Sequence, residues 1–115
     1  EQTRREKKCV LAEELGHYYT TAGAIIDQSD VANRKQEYRA RLQAYNRLIG
    51  LVGIISAYKA GCRSRYEVAE HLDVTESFLA DALEAYRAKY GLYTRLADYI
   101  IYFDPLGVLE LHGSF

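Results

Sequence analysis

Apolar positions recur at helical spacing through most of the chain and alternate only near its end. From Thr3 to Tyr19, Val10, Glu13, Glu14 and His17 follow the three-and-four spacing that stacks side chains on one helix face, with Cys9 and Leu15 close by. The run Thr20-Thr21-Ala22-Gly23 breaks that pattern, and Ile25 and Ile26 form a short apolar plug. Ser29 or Asp30 then caps a second helix, Val31 to Leu48. Its apolar stripe is Tyr38, Leu42, Tyr45 and Ile49, flanked by Glu37, Ala40 and Ala44, with Arg34, Lys35, Arg39, Arg41 and Arg47 mostly off it. A third helix, Leu51 to Lys59, is apolar on nearly every side and is expected to be the most buried element. Gly61 ends it.

Ser64 caps a short helix, Arg65 to Leu72, and Thr75 caps a longer one, Glu76 to Lys89, which Gly91 ends. Phe78, Leu79, Ala82, Leu83 and Tyr86 make the apolar face of the longer helix. The two have the rhythm of a helix-turn-helix pair sharing Val68, Leu72, Val74, Leu79 and Leu83. The alternation begins at Tyr99–Phe103, turns at Asp104-Pro105-Leu106-Gly107 and resumes at Val108–Leu111, which predicts a β-hairpin. An isolated hairpin is marginally stable, so it should lie at an edge of the helical bundle. The fold class is therefore mostly α with a C-terminal β-hairpin (α+β), as one domain over residues 1–115.

Composition narrows the function classes. The chain is 49% hydrophobic and 27% charged, as a globular domain is. A net charge of -1 makes the whole chain no electrostatic magnet for nucleic acid. The second helix of the helix-turn-helix pair offers Glu76, Asp81 and Glu84 before its first basic residue, Arg87, so direct DNA binding is not expected. The longest apolar stretch, Leu48–Ala57, is too short for a bilayer, and the polar opening EQTRREKK is not a signal peptide, so no membrane contact is expected. Cys9 and Cys62 form no framework, in keeping with a reduced, cytoplasmic protein. Eleven Tyr against three Phe point to half-buried rings at edges, some of them at a homodimer contact.

The richest chemistry lies at Glu13, Glu14 and His17. Glu13 and His17, at i and i+4, can reach one point above the helix, and zinc accepts carboxylate oxygen and imidazole nitrogen together. This is the HExxH arrangement with Glu in place of the first His. Taken alone, the same residues also describe solvated surface acids beside a surface histidine. His71 reads as a surface residue, and His112 has no ligand partners in its strand.

The runs LAEELGHYYT and QEYRARLQAYNRL resemble the ImmA/IrrE-like family of metallopeptidases. The resemblance extends through the downstream helices and hairpin and implies a zincin-like helical core. The upstream strands of that family's domain have no counterpart in this chain. By this resemblance Glu14 is the catalytic acid–base residue, moving a proton from water to the leaving amine. Glu13, His17 and Glu37 are the metal ligands, and Glu37, Ala40, Arg41 and Ala44 match the family's second helix. Tyr18, Tyr19 or Tyr38 is the oxyanion or substrate contact. The implied activity is a metal-dependent endopeptidase that cuts a regulatory protein, such as a phage or mobile-element repressor. The alternative is an inactive peptidase-like module that binds a protein partner. One imidazole and two carboxylates hold zinc more weakly than a two-histidine site and shift preference toward manganese, so purified protein can emerge empty. The helix of Glu13 and His17 should pack on that of Glu37 through Leu15, Tyr38, Leu42 and the buried Leu51–Ala57 segment.

Overall fold

A computed structural model describes residues 3–21 and 30–111. Among these residues the order is α1 (Arg4–Thr21), α2 (Asp30–Leu48), α3 (Gly50–Lys59), α4 (Arg65–Leu72), α5 (Glu76–Tyr90), β1 (Tyr93–Leu96), β2 (Tyr99–Phe103) and β3 (Leu106–Glu110). This is the expected α+β class, a helical body followed by a C-terminal β element. The expectations for Ile25, Ile26, the Ser29 cap and His112 lie outside the described residues. No helix among the described residues is long and apolar enough to cross a membrane.

The caps act as the side chains dictate. The Ser64 hydroxyl accepts from the Glu67 N–H at 3.1 Å, and Glu67 Oε1 reaches back to the Arg63 N–H at 3.0 Å, so α4 starts with two orphan donors satisfied. The Thr75 hydroxyl accepts from the Phe78 N–H at 3.0 Å and starts α5. Between them Asp73 takes the left-handed conformation, φ 58°, a tight turn that folds α5 back onto α4. Gly61, at φ +96°, closes α3 as its permissive backbone allows.

The core centres on α5. Phe78, Leu79, Ala82, Leu83 and Tyr86 are buried along its face. They meet Val68 and Val74 from the α4 side, Ile54 and Ala57 from α3, and Ile101 and Phe103 from β2. The expectation that α3 would be the most buried element is corrected: its Val52 is 71% exposed, because only one side of the helix meets the body. The Tyr86 hydroxyl donates to Asn46 Oδ1 at 2.9 Å and accepts from the Gly50 N–H at 3.2 Å. It thereby ties the α2–α3 junction to α5, and its burial pushes its pKa up.

The β element is a three-stranded antiparallel sheet, β1-β2-β3, rather than a hairpin. Tyr93 pairs with Tyr102 and Leu96 with Tyr99, so β1 extends the sheet on the far side of β2. The β2–β3 turn is Asp104-Pro105 alone, with Phe103 paired to Leu106. β3 thus begins two residues before the expected Val108.

α1 and α2 form the closest helix pair. The contact face of α1 is Cys9, Ala12 and Gly16, and that of α2 is Ala40 and Ala44, all buried. The expected seam through Leu15, Tyr38 and Leu42 is corrected at Tyr38, which is 45% exposed. Small side chains let the two backbones approach, and large ones are displaced to the margins.

Candidate metal centre on the α1–α2 hairpin

Gly16 faces the main chain of Ala40 with no room for a Cβ between them. This crossing sets the neighbouring positions opposite each other. His17, next to Gly16, points its Nε2 at Glu37 Oε1 across 3.9 Å. The other carboxylate oxygen, Oε2, faces Arg41 Nη2 at 3.5 Å, one turn along the same helix. His17 and Glu37, the two ligand candidates on different helices, are thus brought together.

The donor chemistry tests the fit. Two donors about 2.0–2.2 Å from one tetrahedral ion stand about 3.3–3.6 Å apart. The His17–Glu37 separation of 3.9 Å is slightly wider. Neither residue is buried, so small rotamer changes close the difference.

Glu13 stands apart from the pair. It lines an open groove of about 520 Å³ between the hairpin and α5, together with Tyr38, Arg41, Tyr45, Asp81 and Glu84. Burial, and then the negative charges of Asp81 and Glu13, push the Tyr45 hydroxyl up. Among the described residues no group of three or more His, Cys, Asp or Glu side chains is gathered around one point as a metal site. Glu13 lies one turn before His17 on α1.

Glu14 is exposed on α1, and Tyr18 is 67% exposed near its end. The Tyr19 side chain lies outside the described residues. Tyr38 reaches the groove beside Arg41. The groove's far wall, Asp81 and Glu84, was not anticipated; its only sign in the sequence was acids on α5 away from the Phe78–Tyr86 face.

The hairpin is fastened to the α4–α5 turn by charge. Arg4 and Arg5 both donate to Asp73, and Lys8 stands 3.6 Å from it. The Arg4 hydrogen bonds, with help from Arg5, hold the Asp73 carboxyl well below the usual carboxylate range. Lys8 also reaches the Leu72 carbonyl at the end of α4, at 3.4 Å.

Comparison of the chain with protein-family models, with curated proteins and with solved structures gave no match.

Proposed function

We propose that the chain is a metal-dependent endopeptidase acting on a regulatory protein, with its centre where α1 and α2 cross. The observation that carries this reading is the approach of His17 and Glu37 from separate helices to 3.9 Å. His17 and Glu37 would hold the ion, with Glu13, one turn before His17, as the third ligand. When bound, a zinc- or manganese-class ion supplies Lewis acidity that polarises a carbonyl and acidifies water. Glu14 carries the proton, accepting it from the attacking water and delivering it to the leaving amine. Tyr38, which lines the groove beside Arg41, is the first candidate to donate to a substrate carbonyl, and Tyr18 is the second. The substrate class, a repressor-like regulatory protein, rests on the resemblance of LAEELGHYYT and QEYRARLQAYNRL to the ImmA/IrrE-like peptidases.

The test is incubation with zinc and candidate repressor proteins, with products read by mass spectrometry. The parent chain should cut a defined peptide bond, and Glu14→Gln should not cut while still binding metal. Cleavage by Glu14→Gln at the parental rate removes Glu14 from the mechanism.

One observation favours a second reading, a protein-binding module without chemistry: Glu13 faces α5 across the groove and not the His17–Glu37 pair. On that reading the groove holds a partner chain, and binding is unchanged by a chelator and by Glu14→Gln. Loss of binding in either case sets this reading aside.

A further inference from the structure

We infer that the cavity bounded by α3, α4 and β3 is a binding site for a small apolar carboxylic acid, with Arg63 as the group that recognises its carboxylate. The cavity shares no lining residue with the α1–α2 hairpin and does not depend on the centre proposed there.

The cavity follows from how the chain leaves α3. Gly61, at φ +96°, turns the chain, and the Cys62 N–H returns to the Ala57 carbonyl at 3.0 Å. The loop is thereby held beside the helix end, next to a space of about 190 Å³. Ile54 and Val68, both buried, line it together with Leu106 and Val108, which are half-buried on the edge strand β3. The Cys62 thiol, also in the lining, donates to the Glu67 carbonyl at 3.5 Å and otherwise presents a small apolar sulfur. An engineered apolar cavity of about 150 Å³ admits benzene, so this space suits a single ring or a short branched chain.

Arg63 adds the charge preference. Its Nη1 donates to the Tyr58 carbonyl at 3.0 Å and to the Cys62 carbonyl at 2.8 Å, and its guanidinium carbon stands 4.4 Å from the centre of the Tyr58 ring. Two carbonyls and one ring therefore orient the guanidinium. Among the described residues its Nε and Nη2 make no hydrogen bond, and no carboxylate forms an ion pair with it. Glu67, four positions on, gives its Oε1 to the Arg63 backbone N–H and the Ser64 hydroxyl instead. A guanidinium engaged through one nitrogen keeps a two-donor edge, the fork that matches a carboxylate. Because the side chain is already ordered, binding costs little further rotamer entropy. The ligand chemistry follows from the two parts together: an apolar body of about one ring, carrying one carboxylate.

The test uses the full chain with phenylacetate and its uncharged counterpart, phenylacetamide, followed by methyl NMR. Phenylacetate should shift the methyl signals of Ile54, Val68 and Val108 with a Kd of about 0.1–1 mM, as suits a ligand this small. Phenylacetamide should bind about tenfold more weakly, the effect of losing one charge-assisted pair. Arg63→Gln should bind the two probes equally, an outcome that a merely structural Arg63 would not produce. Val108→Trp, which fills the cavity and keeps Arg63, should bind neither. A parent chain that binds neither probe at about 10 mM, well above the expected Kd, overturns the inference. So does a parent that binds both equally, one whose shifts fall on other residues, or an Arg63→Gln protein that keeps the preference. Parental binding by Val108→Trp overturns it even where Arg63→Gln does not fold. A short peptide ending in Phe that binds at least about tenfold more tightly than phenylacetate, a gap of about 1.4 kcal/mol, assigns the cavity to a chain terminus and overturns the free acid as its ligand.

Discussion

The carbonyl oxygen of Ala40 occupies the space in which any larger residue at Gly16 would carry its Cβ. The obstacle is backbone, so no rotamer change relieves it. Gly16→Ala must push α1 and α2 apart. Overpacking of this kind costs about 1–3 kcal/mol, which should lower the melting temperature by at least about 4 °C. The variant should also lose any thermal shift produced by zinc, because His17 and Glu37 separate with the helices. A Gly16→Ala protein with parental melting and metal response contradicts this account of the crossing.

Metal should stabilise the fold. An ion held only by the folded chain adds RT ln(1 + [L]/Kd), about 2.7 kcal/mol at a hundredfold excess over Kd. Thermal melts with added zinc or manganese should therefore shift upward, and His17→Ala or Glu37→Ala should erase the shift. A parent melt unmoved by either ion at roughly tens of micromolar, a concentration at which a micromolar site gives a clear shift, would leave these residues as ordinary surface groups.

Asp73 makes the attachment of the hairpin sensitive to pH and salt. Its carboxyl is held below its ordinary range, chiefly by Arg4. A depressed folded-state pKa gives stability that is complete above the unfolded value of about 3.9 and shrinks as pH falls below it. Asp73→Asn should melt below the parent at neutral pH, and the gap should narrow below about pH 4. The groups are partly exposed, so added salt should narrow it as well. A gap that is constant from neutral pH to pH 2–3, well below the ordinary carboxylate pKa, excludes the ion cluster as its cause.

Tyr86→Phe tests the polar tie in the core. The change strips a partner from the Gly50 N–H and from Asn46 while keeping the ring among its neighbours. Leaving such groups unsatisfied costs about 1–3 kcal/mol. Chemical denaturation should show a lower midpoint with an unchanged slope. A parental midpoint means that water reaches both groups.

The helices were legible because their punctuation is chemical. Ser64 and Thr75 begin α4 and α5 where their hydroxyls find the third N–H along, and the Phe78–Tyr86 face lies as its spacing requires. β1 was missed because the turn after it is Ala97-Asp98, with Ala97 at φ 53° where Gly or Asn would have announced a turn. The α1–α2 seam was misread at Tyr38 because a hydrophobic stripe weights large residues, whereas the closest helix contacts select small ones. At the candidate site, the facing of His17 and Glu37 came from a resemblance between motifs and not from spacing within either helix. The position of Glu13 depends on side-chain rotation against α5, which no periodicity encodes.

The Gly16–Ala40 crossing also acts as a register lock. Sliding α1 by one turn would bring Ala12 or Thr20 against the Ala40 carbonyl, and both carry the Cβ that Gly16 lacks. The helices therefore have one allowed offset, and the spacing between positions 17 and 37 is stored in the main chain. Side chains at positions 13, 17 and 37 can then vary in chemistry without moving the main chain that carries them: an imidazole at position 13 or a carboxylate at position 17 would inherit the same scaffold.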